Sequence, residues 1–355
     1  MRRKLATIYA IFCLALLLAG LSLVFYFAWN AGTNELVKAL VSIVLSLILA
    51  PTLHELGHIF FAFSCDMELN YAKFFCFQVQ RISGRLRFCL ASPFAPDETQ
   101  VVPKRGGDMK KRATFYTLGG LIVQGAFTFL FTCVAVVLAC CGIQSFLFWG
   151  FLPYAWYLFL LNVAPFAYPS GKTDMLVYLG LKKGESVEKN MLNAMEIQGR
   201  LYAGESFAEI EETLYFSAPQ LCEDEPLYAM MLDLQYRYYL EKNELEKAAE
   251  RLNRLASAQA YLTEKEVEKI AAELTYMHAL NGDYERAEES GKLCQNYLKE
   301  NNPTAKRILA AYSAAFGKTD AARVLIAQAQ ELMGNERMLG ARRFEEKLLS
   351  RISLV

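Results

Sequence analysis

Histidine is nearly absent from this chain: only three occur in 355 residues, so imidazole chemistry has few places to sit. Nine cysteines, from Cys13 to Cys294, are an odd number with no CxxC spacing, and several lie inside apolar runs. That excludes a disulfide framework and reads as small buried hydrophobes in a reducing compartment. No basic stripe interleaved with aromatics appears outside the loops that flank long apolar segments, which sets nucleic acid aside. Net charge is also lacking, with 37 Lys+Arg against 37 Asp+Glu, but the balance conceals a division. Residues 1–182 hold 15 basic and 8 acidic side chains, leaving 22 and 29 for residues 183–355. Two differently built domains are expected, 1–182 and 183–355.

The first domain is poor in charge over long stretches. Residues 5–29 contain none, and as a helix they measure about 37 Å, enough to cross a bilayer with tilt. The run is too long for the apolar core of a signal peptide, so a retained anchor is the better reading. A second span covers 36–64, interrupted only by Lys38 and by His54-Glu55-Leu56-Gly57-His58. From Ala113 to Gly171 there is no Asp, Glu, Lys or Arg, about twice the length of one crossing. Two spans are expected there, 113–140 and 146–164, with a break near Cys141-Gly142-Ile143-Gln144-Ser145. The N-terminal stub carries three Lys/Arg and the 66–112 loop nine, while the 30–35 and 141–145 loops carry none. This asymmetry predicts a multi-pass cell-membrane protein with both termini, the 66–112 loop and the C-terminal domain cytoplasmic. Within the loop, Phe75, Phe77 and Val79 alternate before Ser83-Gly84, and Leu86, Phe88 and Leu90 after it. That is a membrane-proximal β-hairpin over 71–91, either purely structural or with an edge that accepts an extended peptide.

Beyond residue 185 the pattern becomes that of soluble amphipathic helices. Asn243-Glu244-Leu245-Glu246-Lys247-Ala248, Gly282-Asp283-Tyr284-Glu285-Arg286-Ala287 and Gly317-Lys318-Thr319-Asp320-Ala321-Ala322 align loosely, their final alanines 39 and 35 residues apart. The spacing resembles tetratricopeptide-type helical hairpins and predicts an α-helical solenoid offering a concave surface to a protein partner. The expected fold is therefore mainly α: about four transmembrane helices with one short hairpin, then the solenoid.

His54 and His58 stand four apart, so on a helix both imidazoles project from one face at a distance one metal ion can bridge. Glu55 sits beside the first. In such an arrangement the metal acidifies water and the carboxylate takes the proton as the water attacks a peptide carbonyl. An HExxH string also arises by chance on surface helices, but here it is followed by Ile59-Phe60-Phe61-Ala62-Phe63, which puts an ionisable Glu55 within the membrane, a costly placement that marks function. The remaining histidine, His278, reads as structural. A third ligand is needed, and Asp174 stands out because it follows the fourth span, which returns to the side where the second span ends; Asp66 and Glu68 are the alternatives.

These features resemble the site-2 protease family of intramembrane zinc metalloproteases: His54-Glu55-Leu56-Gly57-His58 in one span, then Asn162, Pro165 and Asp174 in the pattern Asn-x-x-Pro…Asp. The resemblance covers roughly residues 34–180. It implies Zn2+ held by His54, His58 and Asp174, with Glu55 catalytic and Asn162 hydrogen-bonding the substrate backbone or steadying the oxyanion. The Gly119-Gly120-Leu121-Ile122-Val123-Gln124 stretch looks like the family's glycine-rich third span, with Gln124 where Asn is frequent. Met175 stands where the family usually has Gly, and the twelve positions from Asn162 to Asp174 exceed the usual link. Without the family, Asn162 reads as a helix-to-helix hydrogen bond and Gly119 and Gly120 as close packing. The implied activity is hydrolysis of membrane proteins or anchored peptides near the cytoplasmic face. The competing expectation is a non-proteolytic membrane adaptor displaying the helical repeats; a transporter is disfavoured by the lack of an inverted repeat.

Overall fold

The computed structural model describes residues 2–82, 85–93, 97–168, 171–258, 262–334 and 336–353. The chain forms two compact units, residues 1–102 with 108–188, and residues 103–107 with 189–355. The second unit thus begins a few residues beyond 183 and includes a five-residue segment from the first half of the sequence, where the Gly107 N–H donates to Glu196 Oε2 at 2.7 Å.

In the first unit, α1 (Arg2–Ala31), α2 (Thr33–Ser64), α3 (Met109–Cys140) and α4 (Phe146–Val163) are long and apolar enough to cross a membrane. They coincide with the four expected spans to within a few residues. The loop expected at 30–35 contracts to Gly32, whose φ of 110° turns the chain in a single residue. Large side chains such as Ile8, Phe12, Leu47 and Phe60 are exposed, whereas α2 turns Ala39, Ser42, Ser46, Ala50 and Ala62 inward. This inverts the pattern of a water-soluble bundle. With lipid outside there is no hydrophobic gain from burying Leu, so small residues that let backbones approach line the contacts. A Cβ on Gly150 of α4, for example, would lie 2.8 Å from the Ala39 carbonyl oxygen of α2.

Between α2 and α3 the chain builds β1 (Met67–Phe74), β2 (Phe77–Ile82), β3 (Arg85–Leu90) and β4 (Glu98–Pro103) in the order β3-β2-β1-β4. The expected hairpin is β2–β3, with Phe77 opposite Leu90 and Val79 opposite Phe88; its turn, Ser83-Gly84, lies outside the described residues. The sheet is larger than expected because β1 and β4 carry charges that hide their strand character. Lys73 in β1 is buried only because Asp97 meets it at 2.9 Å, and Glu68 is paired with Arg81 at 2.7 Å. Leu69, Ala72 and Val79 form the sheet's apolar cluster, against which Ile59 of α2 and Val101 of β4 pack. After α4 come β5 (Ala167–Tyr168), β6 (Gly171–Lys172) and α5 (Asp174–Lys183).

The second unit is helical: α6 (Ser186–Ala203), α7 (Glu212–Phe216), α8 (Pro226–Glu241), α9 (Leu245–Ser257), α10 (Glu264–Leu280), α11 (Tyr284–Leu293), α12 (Gln295–Leu298), α13 (Pro303–Ala315), α14 (Thr319–Met333) and α15 (Leu339–Leu349). Helices α8/α9, α10/α11 and α13/α14 pack as hairpins. Ala248, Ala287 and Ala322 are each the fourth residue of a second helix and fully buried, where a larger side chain would push the pair apart. Asn243, Gly282 and Gly317 take the left-handed φ that ends each first helix, at 64°, 71° and 70°.

One ionic cluster ties the repeats together. Arg307 of α13, with no exposed surface, donates to Glu273 of α10 at 2.8 Å and to Glu345 of α15 at 2.7 Å, and its guanidinium lies 4.1 Å above the Tyr276 ring. Tyr236 of α8 donates to the same Glu273 at 2.9 Å. Burial pushes the Glu273 carboxyl up, and the charges of Arg307 and Arg237 outweigh it, holding the group below its ordinary 4.5. Removing the cation alone would strand two buried carboxylates, so Arg307→Met is expected to destabilise the helical unit by about 3–5 kcal/mol in thermal unfolding followed by circular dichroism. Because the folded value of Glu273 is depressed, its stabilisation is complete above pH 4.5 and declines as the pH falls below that.

Candidate metal centre

Four-residue spacing on α2 stacks His54 and His58 on one face, and both are buried. Each ring is fixed through Nδ1. His54 Nδ1 lies 2.9 Å from Gln124 Oε1 and His58 Nδ1 2.8 Å from the Tyr116 carbonyl oxygen, both on α3. An oxygen acceptor at Nδ1 requires the N–H there, so in the neutral ring the Nε2 lone pair is free to act as a ligand. The two Nε2 atoms are 3.2 Å apart.

Asp174 completes the group. Its Oδ2 is 3.0 Å from His54 Nε2 and 3.5 Å from His58 Nε2, buried, and without a hydrogen-bond partner. These three atoms could hold a metal ion. A four-coordinate cation with bonds of about 2.0–2.1 Å would space its ligand atoms roughly 3.3 Å apart, and the three observed separations bracket that value. The donor set therefore fits a tetrahedral divalent ion with one position left for a non-protein ligand. When the two imidazoles carry a second proton, their N–H donors and positive charge outweigh burial and hold the Asp174 carboxyl below its ordinary value.

The twelve positions between Asn162 and Asp174 are accommodated by looping out. Thr173 donates its hydroxyl to the Ala164 carbonyl at 2.7 Å, and its N–H reaches the Phe166 carbonyl at 3.1 Å, closing the base of the β5–β6 hairpin. Pro169 and Ser170 lie outside the described residues. The same hydroxyl accepts the Leu176 N–H as the cap of α5, which fixes Asp174 in the first helical turn. Asn162 is not drawn into the trio; its amide donates to Leu158 on its own helix at 3.3 Å. Asp66 lies in the turn from α2 to β1, and Glu68 is engaged with Arg81.

Three glycines let α2 and α3 approach closely enough for this geometry. A Cβ on Gly57 would lie 2.4 Å from the Gly119 oxygen, and one on Gly119 would lie 2.7 Å from the Gly57 oxygen. A Cβ on Gly120 would come within 2.5 Å of His58 Nε2 and 2.9 Å of His54 Nε2, filling the space beside the three ligand atoms.

Glu55 is buried on the same turn. Beside its carboxylate is the buried hydroxyl of Thr99, in β4, and the Tyr116 hydroxyl donates to the Thr99 carbonyl at 2.6 Å. The strand that borders the centre is thus β4, one edge of the sheet, while the expected hairpin supplies the opposite edge through β3.

No protein-family model, curated protein or solved structure matches the chain.

Tyr116 and Thr99 carried no sequence signal as site residues, since Tyr116 acts through its backbone carbonyl and Thr99 through a fold contact. Thr173 did carry one, a threonine directly before a helix. Gly57→Ala is expected to force α2 from α3 and destabilise the membrane unit by about 1–3 kcal/mol, measured as a lower midpoint in denaturation of the detergent-solubilised protein.

Proposed function

We propose that this protein is an intramembrane zinc metalloprotease of the site-2 protease type, hydrolysing peptide bonds in membrane-anchored or transmembrane substrates. The observation that carries the reading is the convergence of two imidazole nitrogens and an unpartnered carboxylate oxygen within 3.0–3.5 Å, with Glu55 on the same helical turn. His54, His58 and Asp174 hold Zn2+, which when bound acts as a Lewis acid that brings the pKa of water to about 7. Glu55 accepts the proton of the attacking water on its carboxylate and returns it to the departing amine nitrogen. Gln124 and the Tyr116 carbonyl keep both Nδ1 atoms protonated, holding the Nε2 atoms as ligands.

His54 lies about 32 Å along α2, near the end that leads into the sheet. The excess of Lys and Arg in the N-terminal stub and the 66–112 loop supports a cytoplasmic position for that end, for both termini and for the helical repeats. Cleavage then occurs near the cytoplasmic face. A helical substrate must unwind to expose its carbonyl, and the edge of β4 beside Glu55 offers main-chain partners to the extended segment. Asn162 is assigned a role on the substrate only by the family resemblance. The helical repeats recruit a protein partner or the substrate.

Glu55→Gln should retain zinc yet lower processing by roughly 10²–10⁴-fold, read by comparing membrane peptidomes of cells carrying either form. An unchanged peptidome would sink the protease reading in favour of the adaptor, and His54→Ala with undiminished zinc would sink the metal site. Gln124→Leu removes the acceptor at His54 Nδ1 and should weaken zinc affinity about 10–100-fold in chelator competition, with the fold intact by circular dichroism.

A further inference from the structure

The second unit contains a recess of about 230 Å³ between α7, the segment that follows it, α8 and α9. Its floor is apolar, with Leu221, Met231 and Leu232 buried. Its wall carries two guanidinium groups, Arg251 and Arg254, one turn apart on α9. None of the described residues lining it is acidic, although residues 183–355 hold 29 Asp and Glu.

Both arginines are short of anionic partners. Arg251 Nε is buried and has no hydrogen-bond partner. The nearest carboxylate, on the exposed Glu250, is 3.9 Å from a terminal nitrogen, and the guanidinium carbon is 6.0 Å from the centre of the Phe216 ring. Arg254 donates to the Tyr228 hydroxyl at 3.3 Å, a neutral acceptor. Among the described residues neither guanidinium has a carboxylate within hydrogen-bond distance, so the recess favours a ligand that brings an anionic oxygen to their N–H donors. Arginine meets a planar carboxylate through paired N–H donors better than any other side chain does.

From these features we infer that the recess recognises the carboxyl terminus of a peptide whose last residue is apolar. The terminal carboxylate meets Arg251 and Arg254, and the final side chain rests on Leu221, Met231 and Leu232. An Asp or Glu side chain would present the charge without an apolar body, and the volume suits one residue rather than an acyl chain. Inorganic phosphate would satisfy the arginines but leave the apolar floor uncovered. The site lies wholly in the helical unit and does not rest on the protease reading.

The test uses the full-length protein in detergent micelles on an array of short peptides ending in Leu, Ile, Val or Phe, each as free acid and as amide. Fluorescence anisotropy then measures the strongest labelled binders in solution. Free-acid peptides should bind about tenfold or more tightly than their amides, and Arg251→Gln or Arg254→Gln should each cost about tenfold. Arg251→Lys should fall between, and the unfolding midpoint of no variant should fall below that of the parent. Equal binding of acids and amides, capture of no free-acid peptide, or displacement of the peptide by millimolar inorganic phosphate would overturn the assignment.

Discussion

Close approach of α2 and α3 is the constraint on which the membrane unit depends. Gly57 and Gly119 face each other with no space for a Cβ on either, and Gly120 leaves the space beside both imidazole Nε2 atoms. Only at this separation can α3 supply the Gln124 and Tyr116 oxygens that fix the His54 and His58 rings. In lipid, helix association draws on packing and hydrogen bonds rather than on expulsion of water. The residues that join the helices are therefore the ones that orient the two imidazoles.

The third atom of the candidate centre arrives by a different device. Asp174 belongs to no spanning helix; it opens α5 after a loop whose two ends Thr173 ties together. A single threonine closes the loop, caps the helix and sets the carboxylate against the histidines. The sheet contributes from the opposite direction, since β4 carries Thr99 to Glu55 while its own position depends on the cluster formed by Leu69, Ala72 and Val79. The helical unit uses another means of cohesion, with Arg307 joining α10, α13 and α15 through charge in a dry interior.

Much of this architecture is legible in the amino-acid sequence. Four helices of spanning length follow from uncharged runs, because each run at 1.5 Å per residue is long enough to cross a bilayer. The repeat alanines, Ala248, Ala287 and Ala322, were legible because hairpin packing demands a small residue at a recurring place. His54, Glu55 and His58 were legible because helical periodicity alone puts the two rings on one face. The strands β1 and β4 were not, since Glu68, Lys73 and Glu98 break their apolar alternation and are tolerated only through partners elsewhere, such as Arg81 for Glu68 and Asp97 for Lys73.

Local pattern thus settles the number of helices long and apolar enough to cross a membrane, the helical repeats and the pairing of His54 with His58, because each depends on spacing within one element. Folding in three dimensions settles which oxygen faces the pair. Asp174 lies 120 residues from His54 in the chain, and its carboxylate reaches the imidazoles only because the loop at 164–173 closes on itself. The same holds for Thr99, Tyr116 and Gln124, whose roles arise from contacts between elements. No periodicity within a single segment encodes such contacts, since they depend on how far apart the helices settle.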